Sequence, residues 1–101
     1  MKHLQIKPGK GFRVIAGTDR SQAATMVLSE KQSTGSPSNK HLNSDQWLYV
    51  ISGLGRATVS NERVDLVPGE LLLIEAGETH EIFNIGDKPL ETLNFYTPPE
   101  Y

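Results

Sequence analysis

The chain has 101 residues, twelve acids against ten bases, and no cysteine. That length suits one domain spanning residues 1–101, able to bury roughly two-thirds of its unfolded surface. A net charge of −2 supplies no basic field for nucleic-acid phosphates, and the missing thiols exclude disulfides, thiolate metal sites and cysteine nucleophiles. An apolar run such as Leu71 to Ile74 falls far short of the ~18 residues of a membrane span. The stretch Met1-Lys2-His3-Leu4-Gln5 lacks an apolar core ahead of a cleavage site, so no secretory leader is read and the expected location is the cytoplasm.

Short apolar stretches broken by glycine, proline and asparagine predict an all-β sandwich or barrel, with no heptads and no long helical face. Taken in order, the strands are expected at Phe12 to Ala16, Ala24 to Ser29, Gln46 to Ser52, Arg56 to Ser60 and Arg63 to Val67. Leu71 to Glu75, His80 to Asn84 and Leu90 to Tyr96 continue the series, and Leu4 to Ile6 reads as a weak first strand carrying His3 nearby. Thr18 to Ala24 offers a minor alternative, a helix of one or two turns capped by Thr18 or Asp19. Ser29 to Lys40 is a polar stretch read as a surface loop. Gly53-Leu54-Gly55, Ser60-Asn61-Glu62, Pro68-Gly69 and Gly86-Asp87 mark reversals, with Asn61 suited to a positive φ. The prolines of Thr97-Pro98-Pro99-Glu100-Tyr101 stop a central strand, so this tail is expected over a barrel end or against a partner subunit.

Two segments concentrate polar chemistry: Asn39 to Gly53 and Gly69 to Asn84. Strand alternation lets Asn39 and His41 face one side, where Gln46 and His80 could converge with them. Imidazole nitrogens and amide oxygens at one focus suit either a divalent metal or a polar ligand. Each residue also has a plain structural role open to it. His41 and His80 can be interior histidines, Asn39 a turn residue and Gln46 a cross-barrel hydrogen-bonding group. Trp47 and Tyr49 suit packing or a dimer contact, and Glu75, Glu78 and Glu81 suit solvated strand ends. Ser36, Ser38 and Ser44 lie near His41 in sequence, but no nucleophile elbow, phosphate loop or dinucleotide fingerprint accompanies them.

These segments resemble the cupin superfamily, over about the last two-thirds of the chain. Gly69, Gly77, His80 and Asn84 fall at the spacings of its second motif, with Glu75 where proline is usual, and Asn84 carries a structural role in that family. Counting back from Gly53, its first motif places Gln46 at the glutamate position, His41 at the second histidine and Asn39 at the first. A competing register takes His41 and Asn43 as the pair, with Gly35 in its favour, but leaves too few residues before Gln46. The resemblance implies a small jelly-roll barrel of two antiparallel sheets, a homodimer, and a pocket lined by Asn39, His41, Gln46 and His80. The metal set of the family, three imidazoles and a carboxylate, is here two imidazoles and two amides. That leaves open whether Zn²⁺, Fe²⁺, Ni²⁺ or Mn²⁺ is bound; Asp45 restores an anion only if a bulge turns it inward. The implied function is binding of a small polar molecule, with or without the metal. The alternatives are a metal-dependent dioxygenase, isomerase or lyase, and a metal-free epimerase with His80 as base.

Overall fold

The computed structural model describes residues 1–35 and 39–101; residues 36–38, including Ser36 and Ser38 of the expected polar loop, lie outside the described residues. Eight strands follow in chain order: β1 (Gly11–Gly17), β2 (Gln22–Leu28), β3 (Asp45–Ser52), β4 (Gly55–Val59), β5 (Glu62–Leu66), β6 (Leu71–Ile74), β7 (His80–Asn84) and β8 (Leu90–Thr97). They form a five-stranded sheet ordered β1-β2-β8-β3-β6 and a three-stranded sheet ordered β5-β4-β7. Every strand pairing is antiparallel. The all-β, two-sheet expectation is thus the observed architecture.

Two sequence expectations are corrected. Leu4 to Ile6 forms no strand, because nothing in the sheet pairs with it and its side chains are exposed. Thr18 to Ala24 forms no helix. The Thr18 amide instead bonds the Ser21 carbonyl at 2.8 Å in a tight reversal, and pairing with β1 and β8 draws Gln22 onward into a strand. Sheet pairing on both sides outweighs the local capping signal.

Turn chemistry explains the strand boundaries. Ser60 and Asn61 take φ of 48° and 68° between Val59 and Glu62, the two positive values a type I′ hairpin needs. Gly53, with φ of 90°, turns β3 toward β4 where the Pro89–Leu90 backbone passes close by.

The strand interiors run from apolar to polar along their length. On β3 the inward row is Val50, Leu48 and Gln46, with Trp47, Tyr49 and Ile51 outside, which settles the face that alternation alone left open. On β8 the matching inward row is Leu90, Thr92, Asn94 and Tyr96, and register sets Val50 against Thr92, Leu48 against Asn94 and Gln46 against Tyr96. The apolar ends of these rows, Leu48, Val50 and Leu90, pack in one cluster with Met26, Leu28 and Ile82, which reach from that core to the wall of a cleft at the polar end. The other ends of the rows carry side chains able to hydrogen-bond. Among the described residues no helix is long and apolar enough to cross a membrane.

Candidate functional site

The histidines meet because two short segments run alongside the free edge of β7. Residues 32–34 bond β7 through Thr34 N to the Ile82 carbonyl at 3.0 Å and Asn84 N to the Gln32 carbonyl at 3.0 Å. Residues 39–41 continue beside its start, with His80 N donating to the Asn39 carbonyl at 2.8 Å and Gly77 N to the His41 carbonyl at 2.7 Å. Gly77 reaches that carbonyl at φ of 86°, a conformation that favours glycine. His41 is thereby pinned next to His80, with ring centroids 4.8 Å apart.

Both rings open onto a cleft of about 510 Å³ at the polar barrel end, which Asn39, Gln46, Tyr96 and Tyr101 also line. All four expected site residues are brought to this cleft, though not on equal terms. His80 is 5% exposed and Gln46 3% exposed, whereas Asn39 is exposed and spends its Nδ2 on the Thr34 carbonyl at 2.9 Å. Asn39 thus serves as a turn residue at the rim as well as lining it. Asp45 does not turn inward; its Oδ1 accepts the Ala76 amide at 2.9 Å. Asn84 is buried and structural, donating to the Leu28 and Lys88 carbonyls and accepting the Gly86 amide. Glu78 likewise has a local task, accepting the Glu75 amide and the Ser60 hydroxyl.

Electrostatics favour neutral side chains here. Burial pushes the His80 imidazole below its ordinary value of 6.5; the Glu78 carbonyl works against that shift and His41 adds to it. Burial, then the neighbouring Tyr101, drives the Tyr96 phenol far above its ordinary range. An imidazole held neutral keeps one ring nitrogen as an acceptor, and a phenol held neutral keeps its proton. The Glu100 carboxylate lines the same cleft; its Oε1 lies 3.3 Å from His41 Nδ1 but accepts no well-aligned hydrogen bond.

Sequence reasoning missed the aromatic side of this cleft. Glu100 and Tyr101 arrive on the tail, which folds over the barrel mouth as its prolines led one to expect of a barrel end. Gln22 holds it there: Oε1 accepts the Glu100 and Tyr101 amides at 3.2 and 3.0 Å, and Nε2 donates to the Tyr101 main-chain oxygen at 2.6 Å. Tyr101 packs edge-on against Tyr96 and His41, and tilts against Phe12 at 4.7 Å. The available signal was the alternation within Leu90 to Tyr96, which sets Thr92, Asn94 and Tyr96 on the same face as Leu90.

The donor set does not fit a tightly held transition metal. The amide oxygen of Gln46 is a weak ligand for such ions, and the carboxylate that lines the cleft, Glu100, lies against His41 without completing a ligand cluster. Among the described residues no three His, Cys, Asp or Glu side chains cluster as ligands. The arrangement suits hydrogen bonding to a small molecule in a cleft that mixes polar, aromatic and aliphatic side chains.

The profile of the cupin-domain family Cupin_2 matches residues 24–96. An uncharacterised protein of Methanocaldococcus jannaschii, MJ1618, is 34% identical over 61 residues, covering 60% of this chain and 49% of that one. The matched stretch thus spans about half the length of that relative. Among solved structures, BH2720 from Bacillus halodurans gives a TM-score of 0.86 at 24% identity, covering 91% of this chain and 73% of that one. KdgF from a Halomonas species gives 0.80 at 19%, covering 95% and 84%. A predicted oxalate decarboxylase from Thermotoga maritima gives 0.71 at 27%, covering 77% and 66%. The profile covers well over half of the chain and the two-sheet barrel recurs in these structures: the chain belongs to the cupin-domain family.

Proposed function

We propose that this chain, acting as one domain over residues 1–101, binds a small polar molecule in the cleft between His41, His80, Gln46, Tyr96 and Tyr101. The observation that carries the reading is Gln46 Oε1, a buried acceptor on a cleft-lining side chain with no hydrogen-bond partner among the described residues. An unmatched buried polar atom costs about 1–3 kcal/mol, a cost that a bound donor removes. His80, its imidazole biased toward the neutral form by burial, lines the same cleft and adds a second hydrogen-bonding group, and the aromatic wall adds apolar contact.

The test joins elemental analysis of protein purified without chelator with mass spectrometry of small molecules released on denaturation. The expected result is metal well below one equivalent and a polar compound that His80→Ala protein does not retain. A stoichiometric divalent ion, lost from His41→Ala and His80→Ala proteins, overturns the reading in favour of a metal-dependent enzyme; the Thermotoga maritima neighbour, a predicted oxalate decarboxylase, shows an enzyme name on this fold.

The same proposal pairs two copies through the outer face of the larger sheet. Trp47 is 37% exposed there and stands between Leu73 and Phe95 in register, with exposed Tyr49 beside Leu71. A contiguous apolar stripe of this kind supports a self-complementary contact. Sedimentation of the wild type at two chain masses, and of Trp47→Glu at one, is the expected outcome; a wild-type monomer refutes it.

A further inference from the structure

A row of hydrogen bonds crosses the barrel interior beneath the cleft. Thr92 Oγ1 donates to the Met26 carbonyl at 2.8 Å, Asn94 Nδ2 to Thr92 Oγ1 at 3.0 Å, and Gln46 Nε2 to Asn94 Oδ1 at 3.0 Å. All three side chains are buried. The direction of this row is fixed from one end by chemistry. A backbone carbonyl only accepts, and a threonine hydroxyl carries one proton. With that proton on Met26, Thr92 Oγ1 must accept, so the Asn94 atom facing it is the amide nitrogen. Asn94 then presents its oxygen to Gln46, and Gln46 answers with its nitrogen. Reversing the row would set the Thr92 oxygen and the Met26 carbonyl oxygen lone pair to lone pair at 2.8 Å.

We infer that Thr92 and Asn94 are positioning residues that lock the Gln46 amide with its oxygen as the free group, so that the cleft selects ligands presenting an N–H or O–H to it. This rests on the binding reading above and adds its polarity. Neither residue needs to touch the ligand. An inverted amide would offer N–H in the same place and select acceptors instead, so a side chain two links away decides what the mouth takes.

The test uses two lactam probes, 2-pyrrolidinone, which carries an N–H, and 1-methyl-2-pyrrolidinone, which lacks it. Each is titrated into ¹⁵N-labelled protein while the Gln46 side-chain amide and the His41 and His80 signals are followed. The wild type is expected to bind the first about 10-fold more tightly, the value of one hydrogen bond of about 1.4 kcal/mol. One Gln46 side-chain N–H proton should also exchange slowly. Thr92→Val should bring the ratio toward 1 and speed that exchange, and Thr92→Ser, which keeps the hydroxyl, should restore both. Equal wild-type binding of the two probes overturns the polarity inference while leaving the binding site standing. Failure of both probes to shift any of these signals overturns the binding reading and the inference together. The wild-type ratio and the exchange rate decide the matter even if Thr92→Val does not fold.

Discussion

Replacing Gly53 by alanine tests why the first polar segment ends on that residue. Gly53 sits at φ of 90°, and a Cβ built there would overlap the Pro89 carbonyl oxygen and lie 2.8 Å from Leu90 Cα. Both obstacles are backbone at the entry to β8, the strand that carries Thr92, Asn94 and Tyr96, so neither can swing aside as a side-chain tip would. The left-handed conformation costs an L-residue roughly 1–2 kcal/mol, and forcing extra volume into a packed site adds roughly 1–3 kcal/mol. A total of about 3 kcal/mol is expected for Gly53→Ala, or a melting-temperature drop of about 10–20 °C for a domain of this size. Gly69 and Gly77 supply the internal control. They have φ of 90° and 86° but nothing within 4 Å of a built Cβ, so alanine there should cost only the conformational part, about 1–2 kcal/mol. Thermal unfolding followed by circular dichroism compares the three variants. If Gly53→Ala melts within a few degrees of Gly69→Ala, the steric argument is refuted and only the turn conformation matters.

Titration should show in stability as well. His80 has a depressed pKa in the folded state, so the folded protein resists its protonation; stability is full above the ordinary value of 6.5 and declines as pH falls through it. Urea unfolding between pH 7.5 and 5.5 should show this decline in the wild type and a flatter profile in His80→Gln; parallel profiles would refute a buried neutral imidazole. The Tyr96 phenol is shifted upward, which reverses the sense: the unfolded chain ionises near 10.0 while the folded one holds its proton, so stability falls as pH rises above that value. Tyr96→Phe should lessen the slope by up to about 1.4 kcal/mol per pH unit, read from urea midpoints at pH 9.5 to 11, and an unchanged slope would place the phenol in water.

Strand positions were legible in the sequence because period-two alternation and turn residues agree. Gly53, Asn61, Gly69 and Gly86 each fall at or beside a reversal, and the expected His80 to Asn84 strand is the observed β7. Where local signals stood alone they failed: Leu4 to Ile6 alternates without a partner strand, and Thr18 caps a reversal rather than a helix. Alternation also could not say which face of β3 lies inside, since Trp47, Tyr49 and Ile51 are as apolar as Leu48 and Val50. The decision comes from β8, whose inward row meets Gln46, Leu48 and Val50. At the cleft, motif spacing marked Asn39, His41, Gln46 and His80 because each stands on a strand or beside one. Tyr101, Glu100 and their clamp Gln22 escaped notice, since their meeting joins positions 79 residues apart through a proline-interrupted tail.

The cleft's position follows from how little interior a barrel of this size has. Residues that pack the closed end, among them Leu48, Val50 and Leu90, are fully buried and supply hydrophobic stabilisation. Extending that core through the mouth would require apolar side chains at Gln46, Asn94 and His80. The chain instead places amides and an imidazole there, satisfies most of them with one another and with backbone, and leaves one oxygen unmatched. A structural role alone accounts for the matched groups, because a closed hydrogen-bond row costs little inside a protein. The remaining oxygen, Gln46 Oε1, is the atom on which the proposed binding reading rests, and a leucine or methionine at position 46 would remove it along with the need for Asn94 and Thr92. Phe12, Tyr96 and Tyr101 pack against one another along the same cleft, and none of the three donates to that buried oxygen. Packing explains the wall, and the row explains the orientation of the Gln46 amide, whose oxygen is the atom that the lactam titrations interrogate.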